Sequence, residues 1–392
     1  MIEDAMLKNP AISGLQKRFF AVGGLFLTLC LGGAISHPDQ FFRSYLFAFV
    51  FWSSIPLGSL AILMLQYLTG GAWGMMIRRL LEASTRSIPW MAALFVPILF
   101  GMRHLYEWAQ PEKVRVDKIL QHKALYLNIP FFVARTVFYF LVWYALVRLF
   151  DQWSRRQDEK KPAPSKLDAE GLSGPGLVIF GATMTFASFD WVMSLEPHWY
   201  STMFGLYIMV GQTLTTFAFT ILVLILLSKR KPMSEALTPE HLHDLGKLTL
   251  AFVMIWAYLA FSQFLIIWSG NLPEETPYYL KRLAGGWGWL QIALILFHFA
   301  LPFILLLSRS LKKAPRQLLK VVALILVMRL VDLYLQIAPA SHGAHFQVHW
   351  MDLAALLGIG GVFLGFFIRS LMSRPILPLH DPAFEEALHS GH

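Results

Sequence analysis

The side chains able to do chemistry in this sequence are few, and several stand where charge is expensive. Arg135, Asp190, Arg329 and Asp332 each interrupt a long apolar run. A charge at the centre of a membrane span costs about 2.5–3.5 kcal/mol on the insertion scale, so such residues turn towards other helices, pair, and often mark a route for protons, ions or ligands. Arg329 and Asp332 are three residues apart on one helical face and can pair with each other. The pair reads as a structural ion pair or as a proton-transfer or ligand site. Arg135 falls near the middle of its run, and Asp190 lies about 5–6 Å from the outer end of the next, at ~1.5 Å per residue. An Arg135–Asp190 bridge is therefore expected, structural or functional.

Two uncharged polar residues also lie mid-run, Gln263 and His298. His298 reads first as an interhelical hydrogen bonder. No second histidine at its depth is expected to face it, which argues against a haem with two axial histidines. Glu196, His198, His342, His345, His349 and Asp352 fall at one outer surface, and imidazole beside carboxylate at an aqueous mouth suits proton exchange near neutral pH. The spacing of His342, His345 and His349 has the look of a metal site. Its Gly- and Pro-flanked setting, with Asp352 as the nearby carboxylate, favours solvated or subunit-contacting histidines instead. Cys30 is the one cysteine. That excludes internal disulfides, cysteine-ligated iron–sulfur clusters and Cys-x-x-Cys-His haem attachment. There is no phosphate-binding glycine loop and no serine or cysteine triad. The expectation is that this chain itself binds no cofactor or metal. The proton-path candidates are Arg135, Asp190, Glu196, His198, Gln263, His298, Arg329 and Asp332.

The elements that must hold these groups are membrane helices. The chain has 392 residues, 56% of them hydrophobic, and a mean hydropathy of +0.54. Apolar runs of about 20 residues recur along it, the length that crosses a bilayer core. We expect an all-α polytopic membrane protein of ten spans near 19–36, 41–68, 88–104, 124–148, 173–194, 200–228, 246–270, 287–308, 319–337 and 350–371. The net charge of +9 sits in the loops, where it speaks for orientation and not for nucleic acid. No secretory cleavage pattern precedes the first run, and the N-terminus reads as retained. Of the 33 Lys and Arg, 23 fall on the side of the N-terminus, 8 on the other side, and Arg135 and Arg329 within spans. This asymmetry predicts both termini in the cytoplasm. One outer loop, 104–123, is basic against that rule and reads as a short surface helix or a docking site for another subunit.

The organising stretch is FASFDWVMSLEPHWYSTMFG, 186–205: two apolar runs joined by a short hairpin with Glu196-Pro197-His198 at its tip. The charged, proline-bearing segment 149–172 reads as a solvated cytoplasmic linker within one membrane domain, 1–392. A weak repeat is visible: DWVMSLEP (190–197) echoes DLYLQIAP (332–339), and Trp108 with Pro111-Glu112 echoes Trp268 with Pro273-Glu274. The echoes pair helices four apart. They predict two four-helix bundles, helices 2–5 (41–197) and 6–9 (198–339), flanked by helices 1 and 10. Helix 9 is marginal in lipid. Its apolar residues contribute about −5 kcal/mol and its two charges about +5 to +6, so its polar side must turn inward. Gly358-Ile-Gly-Gly361 reads as close helix packing.

FGATMTFASFDWVMSLEPHWYSTMFGLY (180–207) and HDLGKLTLAFVMIWAYLAFSQFLIIWSGNLPEETPYYLKR (243–282) resemble the F subunit of alternative complex III, a bacterial quinol:cytochrome c oxidoreductase. That subunit belongs with the polysulfide-reductase/NrfD-type membrane proteins, and the resemblance extends over most of the chain from helix 2 to helix 10. It implies ten helices in two four-helix bundles, in the bacterial inner membrane, within a respiratory or photosynthetic chain. The implied partners are a related C subunit, periplasmic iron–sulfur and multihaem cytochrome c subunits that carry the clusters and haems, small membrane anchors, lipid, and a terminal haem-copper oxidase in some assemblies. In such complexes the C subunit is the better candidate for quinol oxidation, and the F subunit carries no redox centre. The first reading is thus a non-redox subunit that braces the complex and conducts protons. A quinol site near the outer leaflet, with His198 or Asp190 taking the proton, is the second. A freestanding secondary transporter is the third.

Overall fold

In a bilayer every backbone N–H and C=O must find its partner within the protein, so apolar runs of this length fold as helices. The structure is a computed structural model that describes residues 10–159, 166–343, 345–378, 381 and 384. Among these, every regular element is helical. The main helices are α1 (Pro10–Ser36), α2 (Pro38–Thr69), α3 (Arg78–Thr85), α4 (Ile88–Phe100), α5 (Ile129–Asp158), α6 (Lys166–Trp191), α7 (Phe204–Leu227), α8 (Pro239–Gly270), α9 (Thr276–Leu283), α10 (Trp287–Leu307), α11 (Pro315–Ile337) and α12 (Trp350–Leu371).

Eight of the described helices are long and apolar enough to cross a membrane: α1, α2, α5, α6, α7, α8, α10 and α12. A ninth span arises if α3 and α4, bent by 41° at their junction, count as one. The run expected at 88–104 is therefore the second arm of a broken helix. Pro89 near the start of α4 has no N–H to continue the preceding ladder. It stops at Phe100, and the basic loop beyond it holds two short helices, Pro111–Val116 and Lys118–Lys123. Helix α11 has a spanning length of 23 residues, but Lys320, Arg329 and Asp332 dilute its apolar stretch.

Helices α2 and α7 are largely buried. Around α2 pack α4, α6, α7 and α12; around α7 pack α6, α8 and α11. Helix α5 lies on α4 and α6, and α10 on α8 and α11. Large apolar side chains on the outward faces, Phe138, Leu141, Tyr258, Phe261 and Ile295 among them, are exposed. Helix α1 runs along α12, and the close packing expected of Gly358 and Gly361 falls on this contact. A Cβ on Gly361 would come within 2.6 Å of the backbone of Gly23 and Phe19, so only glycine permits this van der Waals approach.

The linker segment 149–172 is helical at both ends. Its first part continues α5 to Asp158 and its last part begins α6 at Lys166, leaving 160–165 outside the described residues.

Candidate functional site

The first buried charge pair joins α5 to α6. Asn128 accepts the backbone N–H of Phe131 at 2.9 Å and starts α5, which places Arg135 about two turns inside the helix and not at mid-span as expected. From there its guanidinium reaches Asp190 in a two-pronged contact, Nε to Oδ2 at 2.9 Å and Nη2 to Oδ1 at 2.8 Å. The Tyr139 hydroxyl donates to Oδ2 at 2.8 Å. Arg135 also donates to the Tyr126 carbonyl and lies over the Tyr126 ring, 3.8 Å from its centre. Asp190 is wholly buried, and three donors on one carboxylate are what a desolvated charge requires.

The second pair lies on α11, and the i,i+3 contact is formed: Arg329 Nη1 donates to Asp332 Oδ2. Tyr207 of α7 donates to Asp332 Oδ1, and Trp256 Nε1 of α8 donates to Oδ2 at 3.1 Å. Arg329 Nε donates to Thr215 Oγ1 at 3.3 Å. The guanidinium packs against Gly211, where a Cβ would stand 2.1 Å from Nη2. Each aspartate thus receives an arginine and a tyrosine. The arginine comes from the neighbouring helix in the first pair and from the same helix in the second.

His298 departs from its expected role. It is wholly buried, yet neither ring nitrogen has a hydrogen-bond partner among the described protein groups. Its ring stands edge-to-face on Trp256 at 4.2 Å and 78°, and Trp256 is a donor to Asp332. The backbone around it, Leu294–Ala300, takes a π-helical turn. Pro302 explains the turn, because it lacks the N–H that the His298 carbonyl would otherwise accept.

From Asp332 a succession of hydrogen bonds runs to Tyr278, and a ring contact and an ion pair carry it on to the hairpin. Gln336 Nε2 donates to the Tyr207 oxygen at 3.3 Å, and the Tyr278 hydroxyl donates to Gln336 Oε1 at 2.6 Å. Arg282, over the Tyr278 ring at 3.4 Å, donates to the carbonyls of Leu335 and Gln336 and pairs with Glu196 at 2.7 Å. Lys281, part-exposed, donates to Glu196 at 2.5 Å. A cavity of about 690 Å³ borders Asp332, Tyr207, Gln336, Tyr278 and Arg282, with Gln263 on its wall. Gln263 donates to Tyr279 at 3.2 Å and accepts from Ser201 at 3.1 Å. Asp190 and His198 do not line this cavity.

At the tip, Trp199 stacks on Tyr278 at 3.7 Å and Lys123 donates to the Pro197 carbonyl at 2.6 Å. His198 turns away from Glu196 and contacts Asp117 at 2.6 Å through Nε2. Asp117 also caps the Lys118–Lys123 helix, accepting from Ile119 and Leu120. The hydrogen bond from His198, helped by these backbone donors, holds the Asp117 carboxyl below the usual range. Burial pushes the Glu196 carboxyl up, but Arg282 and Lys281 together outweigh it, and Glu196 ends below the ordinary carboxylate value. His349 caps α12, accepting the Met351 N–H at 3.3 Å, with Asp352 closing the box from the other side. His345 is exposed, and the side chain of His342 lies outside the described residues.

Sequence reasoning missed two features. Arg282, one of the 8 cations assigned to the other side, is buried. At the opposite end, Arg78 and Arg79, two of the 23 cations assigned to the side of the N-terminus, are buried together with Glu82. Arg78 binds Gln157 at 3.0 Å and pairs with Asp381, while Arg79 pairs with Glu82 at 2.8 Å and with Asp158. No composition signal in a loop distinguishes a charge that will be packed from one that will be hydrated.

The helices and their buried pairs define an all-α, multi-pass membrane protein. Compared with known proteins, the chain matches no family model, and no curated protein matches it significantly.

Proposed function

We propose that this chain is a non-redox membrane subunit of a quinol:cytochrome c oxidoreductase of the alternative complex III kind, and that it both braces the complex and conducts protons. In this reading ten helices cross a bacterial inner membrane, with α3–α4 as one broken span and α11 held inside by its partners. The packing of α2, α4, α5 and α6 on one another, and of α7, α8, α10 and α11 on one another, supports two four-helix bundles with α1 and α12 flanking them. The end bearing Arg78, Arg79 and Arg230 is cytoplasmic, and the hairpin faces the periplasm, where the haem and iron–sulfur partners sit.

The observation that carries the proton role is the succession from Asp332 through Tyr207, Gln336, Tyr278 and Arg282 to Glu196. Apart from α11, it is built from 180–207 and 243–282, the two segments that bear the resemblance. The neutral amide of Gln336 and the permanently charged guanidinium of Arg282 orient their neighbours but do not relay a proton. Water in the adjoining cavity, which borders both and has the polar partners that ordered water needs, carries the proton past them. Arg135–Asp190 does not border this cavity and acts as the brace. Proton release per electron, measured in the intact complex with Tyr207→Phe, tests this: release slows while assembly is kept, or the reading fails.

The cavity also favours a second reading. Its mouth carries the exposed Tyr258, Phe261 and Ile295, and its floor the polar groups named above, which suits an apolar-tailed quinol. Asp332, not Asp190 or His198, then takes the proton. Protection of Tyr258 from a photoactivated label by added quinol would support that reading, and unchanged labelling would exclude it.

A further inference from the structure

A second cavity opens at the other end of the molecule, where α1 begins and α7 and α12 finish. It holds about 420 Å³ and its walls are apolar, with Leu15, Phe19, Phe219, Leu222, Phe367 and Leu371 among them. Two arginines complete the lining, Arg230 just beyond α7 and Arg374 just beyond α12, and among the described residues no carboxylate does. Arg230 is exposed and has no ion-pair partner among the described residues. Arg374 shares Asp151 with Arg86 and Arg155 and donates to Ser154 at 3.3 Å. Burial, with Arg86 adding to it, brings Arg374 down to about 10, so it stays charged at neutral pH in a setting that an anion would relieve.

An apolar slot capped by two cations matches a molecule with hydrocarbon tails and a negative head. A soluble anion would leave the slot unused, and a zwitterionic head would bring its cation against the arginines. Basic pockets between membrane helices recognise anionic lipid heads in this way. We propose that this groove holds an anionic phospholipid, its phosphodiester between Arg230 and Arg374 and its acyl chains along α1, α7 and α12.

Native mass spectrometry of the full chain in detergent tests the assignment, with phosphatidylglycerol, phosphatidylcholine of the same chains, and inorganic phosphate as probes. Phosphatidylglycerol is expected to be retained about tenfold better than phosphatidylcholine. Arg230→Gln, at an exposed position outside the ion-pair lattice, should remove that preference. Leu222→Trp should fill the slot and remove binding of both lipids while the chain stays folded. Equal retention of the two lipids, retention unchanged in both variants, or displacement of the lipid by phosphate at equal concentration would each overturn the proposal.

Discussion

Arg135 grips Asp190 through two parallel hydrogen bonds, 2.9 and 2.8 Å, across the seam between α5 and α6. Removing one partner of such a pair leaves an uncompensated charge and costs about 3–5 kcal/mol, whereas replacing both with apolar groups is often close to neutral. Arg135→Met and Asp190→Leu should each lower the yield of folded protein sharply, and the double variant should recover most of it. Thermal unfolding of the three variants in detergent checks this. Additive losses would show that the pair is not a unit.

Gly211 makes room for the Arg329 guanidinium. Gly211→Val should push Arg329 off Asp332 and destabilise the chain by several kcal/mol, in the range of about 3–5 for a broken buried pair. By contrast, Gly361→Val acts at the α1–α12 crossing and should free α1 while sparing the Asp332 site. Proteolysis within α1 distinguishes the two.

Glu196 supplies a pH dependence whose sign is fixed. Its folded-state pKa lies below the ordinary value because Arg282 and Lys281 outweigh burial. A depressed carboxylate stabilises the fold above its unfolded pKa and loses that contribution as pH falls through the folded value. The hairpin tie should hold at neutral pH and loosen only as pH falls below the ordinary carboxylate range. Hydrogen exchange in α9, followed against pH, reads the change. Glu196→Gln should show the loosened state at neutral pH and abolish the acid transition in that element.

The Tyr207 hydroxyl links Asp332 to Gln336. Tyr207→Phe keeps the ring in place and removes the link, so proton release should fall several-fold with unfolding temperature shifted only a few degrees, as befits a lost hydrogen bond worth about 1–3 kcal/mol. A large loss of stability with unchanged proton release would assign Tyr207 to packing alone.

The two charge pairs were legible because an Arg or Asp inside an apolar run has few places to go, and because the 329/332 spacing puts both groups on one face. The helical class was legible from run length. The bend between α3 and α4 was hinted at by Pro89 but not read. His298 was read as a hydrogen bonder. Pro302, four residues on, was the available signal that the local turn would widen. Tyr139, Tyr207 and Trp256, which complete the carboxylate shells, looked like ordinary membrane aromatics, since nothing in a single sequence says which ring faces a charge. The burial of Arg78, Arg79, Glu82 and Arg282 depends on which loops meet in space, and no local pattern encodes that.

The most direct test of the whole account is affinity purification of the chain from its native membranes in mild detergent, followed by haem absorption and identification of the polypeptides retained. The account predicts that cytochrome c and iron–sulfur subunits accompany it in fixed ratio, with all haem on those partners. A chain that purifies alone, without haem-bearing subunits, would contradict it and leave a freestanding transporter in its place.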